Sequence, residues 1–120
     1  MAEHLDFGKQ GEETAKNFLA GKGYKILDTN WRFGKMEVDI IATDKNFVVF
    51  IEVKTRSSTV YGEPEVAVTR DKQRFLIRAA DAYIQKKGLT SEARFDIVSI
   101  VVAHGKTTIN HIEDAFYPTL

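Results

Sequence analysis

The chain has 120 residues, with 17 basic against 17 acidic side chains for a formal net charge of zero, 43% hydrophobic residues and no cysteine. That length suits a single domain over residues 1–120 with one hydrophobic core, and the composition is that of a folded rather than a disordered chain. The lack of cysteine excludes disulfides, thiolate metal sites and a cysteine nucleophile, and fits a reducing, cytoplasmic setting; the balanced charge excludes general polyanion coating, though not a local basic surface offset by acidic catalytic groups.

The opening MAEHLDFGKQGEE lacks a basic start followed by an apolar stretch, and no apolar run approaches bilayer-spanning length, so neither a secretory signal nor a membrane partner is expected. A first helix is predicted from about Phe7 to Ala20, with Ala15, Phe18 and Leu19 at helical spacing and Gly21 and Gly23 closing it. A strand follows from Tyr24 to Phe33. MEVDIIA at 36–42 and NFVVFIEVK at 46–54 predict a hairpin across Thr43, Asp44 and Lys45. The second of these is almost continuously apolar until Glu52 and Lys54, the pattern of a central strand covered on both faces. A loop, TRSSTVYGEPE, leads to a second helix from about Thr69 to Lys87, closed by Gly88. FDIVSIVVA at 95–103 predicts a buried strand, His104 to Lys106 a turn, and TTINHI at 107–112 a last strand. The expected fold is therefore α/β, a mixed sheet flanked by helices in the order αβββαββ. Hairpin-linked strands should be antiparallel, and the strand after the second helix can return parallel.

Strand periodicity then locates the chemistry. Side chains alternate faces, so Glu37 and Asp39 are expected to share one face of their strand, and Glu52 and Lys54 one face of the next. If Lys45 and Asn46 form a two-residue turn, Asp39 lies opposite Glu52 and Glu37 opposite Lys54, with paired side chains about 5 Å apart. Three acids and a lysine would converge, which is costly for buried like charges unless a cation offsets them. Magnesium prefers such hard oxygen ligands and keeps waters that leave room for a phosphate oxygen. In phosphodiester chemistry the metal would polarise the phosphate, while Lys54 orients a water or stabilises developing charge. The plain alternative for Glu52 and Lys54 is a solvated ion pair at a strand end.

On the first helix, about 100° per residue puts Leu19 and Ala15 within about 60° of Glu12, which places Glu12 at the edge of the buried stripe and Glu13 in solvent. There Glu12 could reach the acidic face, or serve only the helix dipole. On the second helix Phe75, Leu76, Ala79, Ala80, Tyr83 and Ile84 form the apolar stripe, and Arg70, Arg74 and Arg78 a solvated row. Lys72 and Gln73 fall near the margin of that stripe and are candidates to face the site. Arg56, just beyond the motif strand, is a candidate phosphate contact. His4, His104 and His111 lack metal-ligand spacing, Trp31 suits a core, and Arg94 with Asp96 suggests an ion pair. Gly62, Glu63, Pro64 and Glu65 suit either a turn or a substrate-facing segment.

Glu12, Asp39 and Glu52-Val53-Lys54, with twelve residues between Asp39 and Glu52, resemble the PD-(D/E)xK nuclease superfamily. GEETAKNFLAGKGYKILDTNWRF, MEVDIIATD, FIEVKTR, YGEPEVAVTRDKQR and RFDIVSI together resemble the bacterial YraN family, whose members are similar to archaeal Holliday junction resolvases. The resemblance implies a restriction-endonuclease-like fold and cleavage of DNA with magnesium, or manganese in its place. It puts Glu12, Asp39, Glu52 and Lys54 at the catalytic positions, and Glu37 also matches the pattern. Met36 stands where the family has glycine, which leaves the acids intact but alters how closely the backbone before Glu37 can approach a ligand. Branched DNA has two-fold character, so a junction enzyme is expected to work as a homodimer. A non-catalytic nucleic-acid-binding or assembly module with the same fold is the alternative. A sugar- or cofactor-modifying enzyme finds no glycine-rich phosphate loop in support.

Overall fold

Three hairpins that each turn on two residues set the register of the sheet. In a computed structural model that describes residues 2–57 and 68–117, and side chains from residue 8 onward, Phe33 pairs with Met36, Asp44 with Phe47 and Ala103 with Lys106. The Asp44–Phe47 closure leaves Lys45 and Asn46 as the turn, as their position predicts, and Lys45 takes a left-handed φ of 56°. The side chain of His4 and the segment Gly62 to Glu65 lie outside the described residues.

The elements are α1 (Ala2–Gly21), β1 (Lys25–Phe33), β2 (Met36–Asp44), β3 (Phe47–Arg56), α2 (Arg70–Lys87), β4 (Glu92–Ala103) and β5 (Lys106–Ile112). They form one five-stranded sheet in the order β1-β2-β3-β4-β5, antiparallel except where β4 runs parallel to β3 after the α2 crossover. The expected α/β class and αβββαββ order are thus what the chain adopts. Strand β4 starts three residues earlier than its apolar run, because its pairing with β3 extends from Phe47–Glu92. Helix α2 begins where Thr69 accepts a hydrogen bond from the Lys72 backbone N–H at 3.2 Å, and ends at Gly88 in the left-handed conformation. No helix among the described residues is long and apolar enough to cross a membrane.

The apolar run of β3 follows from covering both faces of the sheet. Val48 and Phe50 pack with Ile41, Phe95 and Ile97 under Leu76, Ala79, Ala80 and Tyr83 of α2. Val49 and Ile51 pack with Ile40, Ala42, Val98 and Ile100 under Ala15 and Leu19 of α1. Truncating a fully buried leucine such as Leu19 or Leu76 to alanine is expected to cost about 2–5 kcal/mol. Helix α1 also lies very close to β3. A Cβ at Gly11 would overlap Thr55 Oγ1, so only glycine allows the helix to lie at this distance beside Glu12.

One local irregularity governs the site. Ile40 packs on the α1 face, whereas Val38, two residues away, packs with Ile41 on the α2 face. Strict alternation would put Val38 and Ile40 together, so the pleat breaks at Asp39. On the neighbouring strand the β1–β2 register shifts between Ile26 and Asp28 and then holds from Thr29–Ile40 to Trp31–Val38, and the intervening Asn30 has a left-handed φ of 50°.

Candidate functional site

The β2–β3 ladder runs from Asp44–Phe47 to Ile40–Ile51 and ends there. One step further, the register would place Asp39 opposite Glu52, but backbone pairing is replaced by a side chain: Val53 N–H donates to Asp39 Oδ2 at 2.8 Å. The two carboxylates therefore meet in the gap where the strands diverge, not as an ordinary cross-strand pair. Glu52 is 4% exposed. Its Oε2 lies 3.6 Å from Lys54 Nζ and 3.7 Å from Lys72 Nζ. Its Oε1 is buried with no hydrogen-bond partner among the described residues. Leaving such a buried acceptor unsatisfied costs roughly 1–3 kcal/mol or more.

Asp39 registers the same imbalance. Burial, then the charge of Glu52, pushes its carboxyl up to about 7, with Glu12 adding to the rise while the Val53 N–H and Lys72 work against it. Helix α1 presents Glu12 half-buried, as its place on the wheel predicts, and Glu12 Oε1 accepts from Asn30 Nδ2 at 3.1 Å. Gly8, Glu12, Asp39, Glu52, Lys54 and Thr55 line a cavity of about 380 Å³. A second, of about 240 Å³, shares Glu12 and Asp39 and is completed by Lys9, Lys16, Thr29 and Asn30.

Asp39, Glu52, Lys54 and Glu12 are thus brought together, and Lys72 joins them from the start of α2. Glu37 lines neither cavity, and its carboxylate pairs with Arg32 at 3.1 Å. Arg56 is half-buried at the end of β3. Gln73 donates through Nε2 to the Val68 carbonyl at 3.1 Å, which fixes the entry into α2. Trp31 packs edge-on against Tyr83 at 5.1 Å, as a core residue would.

Two contributors escaped the sequence reasoning. Gly11 carried a signal, since glycine inside a helix is costly without a packing reason. Asn30 carried a weaker one, being a residue type that tolerates the left-handed region but often sits elsewhere.

The donor set suits a hard divalent cation. Among the described residues no three acidic or histidine side chains stand together at ligand spacing. Two adjacent carboxylates, one with an uncommitted buried oxygen, match magnesium, which takes one or two protein carboxylates and keeps several waters. Asp39 and Glu52 are the residues that would hold it.

Known proteins resemble the chain along its whole length. Residues 11–100 match the model described as "Uncharacterised protein family UPF0102". The chain is 49% identical over 120 residues to a UPF0102 protein of Phocaeicola vulgatus, covering 100% of this chain and 99% of that one. It is 47% identical over 117 residues to one from Flavobacterium psychrophilum, covering 98% of each. With one from Bacteroides thetaiotaomicron it shares 45% over 120 residues, covering 100% of this chain and 99% of the other.

Proposed function

The chain belongs to the UPF0102 family, and from that premise and the geometry of Asp39 and Glu52 we propose that it is a metal-dependent endonuclease of PD-(D/E)xK type that hydrolyses phosphodiester bonds in DNA. The observation that carries this reading is Glu52 Oε1, an acceptor buried beside a second carboxylate and left without a donor among the described residues. A protein has little reason to keep that arrangement for stability alone, because a buried acceptor without a partner weakens the fold.

In this reading Asp39 and Glu52 hold magnesium, or manganese in its place. The bound ion supplies Lewis acidity and a water of lowered pKa. The Val53 N–H fixes the Asp39 carboxylate in the wall of the cavity. Lys54, anchored on Glu52, is placed to orient a water or to stabilise negative charge developing on the phosphate. Glu12 adds negative charge from α1. Lys72 and Arg56 contribute positive charge toward the substrate backbone. Gln73 acts at one remove, through the helix start it anchors. Glu37, tied to Arg32, is left out of the metal site. Branched DNA is the proposed substrate class, with a homodimer as the form that matches its two-fold character.

Incubating the purified protein with labelled junction, flap and linear DNA in magnesium tests the proposal. The expected result is cleavage that requires the metal and disappears in Asp39→Ala and Glu52→Ala. No cleavage of any substrate, or cleavage undiminished in both variants, would sink it.

A second reading draws on a specific feature: Glu52 already faces two ammonium groups, Lys54 and Lys72, which partly neutralise it without a metal. A non-catalytic nucleic-acid-binding or assembly module would use the same surface. It predicts salt-sensitive DNA binding with no metal-dependent product.

A further inference from the structure

We propose that Asn30 is a positioning residue for this centre: its left-handed backbone stands across from Asp39, where side-chain alternation fails, and its side-chain amide holds Glu12 toward the paired carboxylates. The inference rests on the proposed metal site and extends it to a residue that contributes no ligand.

The observations come from three elements. On β1, Asn30 has a φ of 50°, a conformation that asparagine tolerates and most side chains resist. Across from it on β2, Asp39 marks the place where alternation fails, since Ile40 and Val38 pack on opposite faces. Uninterrupted pleating would commit Asp39 to one face of the sheet. The break instead lets it turn into the opening beside β3, where it takes the Val53 N–H. On α1, Glu12 Oε1 accepts the Asn30 amide at 3.1 Å. Asn30 also lines the smaller cavity, whose wall of Glu12 and Asp39 is shared with the larger one.

The amide has a definite task. Glu12 and Asp39 line the same two cavities, and like charges so placed repel, which drives an unheld Glu12 outward. A hydrogen bond to a charged acceptor opposes that motion. Gly11, packed against Thr55, fixes the helix backbone at this height, and Asn30 fixes the side chain that follows it. Hydrogen-bond partners of the ligands themselves commonly change metal affinity by about 10–100-fold, and Asn30, one step further out through Glu12, is expected at the low end of that range.

Manganese affinity, measured by calorimetry on the full chain, separates the backbone role from the amide role. Asn30→Gly keeps the left-handed backbone and removes the amide, so about 10-fold weaker binding is expected. Asn30→Ala should lose more, since it removes the amide and strains the backbone. In a Glu12→Ala background, Asn30→Gly should change affinity by less than about 2-fold, because the residue it acts through is gone. An Asn30→Gly variant that binds as the wild type does, or that weakens binding equally in both backgrounds, overturns the role of Asn30 while leaving the metal site standing. If the wild type binds no manganese, the metal reading fails and this inference fails with it. Should Asn30→Gly not fold, the Asn30 side-chain amide resonances decide: a shift on Glu12→Ala supports the contact, and unmoved resonances overturn it.

Discussion

Two buried acidic centres sit on the same sheet and are treated in opposite ways. Around Asp96, every demand is met: Arg94 donates through Nε at 3.0 Å and a terminal nitrogen at 2.9 Å, His111 Nε2 lies at 2.7 Å and the Asp114 N–H at 3.0 Å. Arg94 in turn bonds Asp44 and Tyr24. Around Asp39 and Glu52, two acids face each other with, among the described residues, one backbone donor, two lysines at salt-bridge range and one oxygen unpaired. Burial raises the proton affinity of both aspartates. At Asp96 the hydrogen bonds from His111, Arg94 and Asp114 outweigh it and hold the carboxyl below its ordinary range, whereas at Asp39 the charge of Glu52 adds to it. The saturated centre ties β4 to β5, to the end of β2 and to Tyr24 just before β1, and the unsaturated one has capacity left for a ligand.

The largest effect should come from breaking the saturated centre. Asp96→Ala leaves Arg94 buried without its main partner, and about 3–5 kcal/mol of stability should be lost at pH 7. The pH dependence has a definite sign. A carboxyl whose folded pKa is depressed contributes stability above the unfolded value near 4, and that contribution fades as pH falls through the folded value. The deficit of Asp96→Ala should therefore shrink in acid. Urea unfolding at pH 7 and pH 3 checks both statements, and a loss under about 1 kcal/mol at pH 7 would show that the network is ornamental to the fold.

The unsaturated centre should respond in activity instead. Asp39→Ala and Glu52→Ala are each expected to lower magnesium-dependent cleavage at least about 100-fold, equivalent to about 2.7 kcal/mol of transition-state stabilisation. Neither should destabilise the metal-free fold as Asp96→Ala does. Parallel measurement of initial rates and melting temperature tests the contrast, which collapses if both centres lose stability alike.

Much of this contrast was legible in the sequence, and the remainder depends on contacts between distant segments. The two-residue turn at Lys45 and Asn46 fixed which residues of β2 face which of β3, so Asp39 and Glu52 could be set opposite each other. Arg94 and Asp96, two positions apart on one strand, announced their pair. Tyr24, His111 and Asp114 did not, since they reach Asp96 from sequence distances of 72, 15 and 18 residues. The failure of alternation between Val38 and Ile40 was not legible, because a period of two has no way to register it. Gln73 lay at the predicted margin of α2, but its partner, the Val68 carbonyl, comes from the chain just before the helix.

A smaller effect follows from the raised proton affinity of Asp39. Its folded value near 7 stands above the unfolded value near 4, so the metal-free fold retains this proton longer than the unfolded chain does. Stability should therefore fall as pH rises from about 4 to about 7, opposite to the trend at Asp96. Asp39→Asn keeps an acceptor for the Val53 N–H and removes the titration. It should be about 1–3 kcal/mol more stable than the wild type at pH 8 without metal, and nearly equal to it at pH 4.5. Thermal melts with a chelator across this range provide the check, and an Asp39→Asn variant less stable at pH 8 contradicts it.

The smallest effect concerns Lys72, which belongs to neither the motif strand nor the ligand pair. Its ammonium stands 3.7 Å from Glu52 Oε2 and is partly exposed, so as an ion pair it should be worth no more than about 1 kcal/mol. Its stem lies over the Phe75 ring, with the ammonium 5.3 Å from the ring centre, and Lys72→Met would keep much of that packing. Removing the charge should act in two directions. A metal cation would no longer compete with the ammonium for Glu52, so manganese should bind about 2–5-fold more tightly. DNA should bind more weakly, with the salt dependence reduced by about one phosphate contact. If metal affinity and salt slope both stay as in the wild type, Lys72 is a strut for Glu52 and the basic contribution to DNA binding comes from elsewhere on the surface.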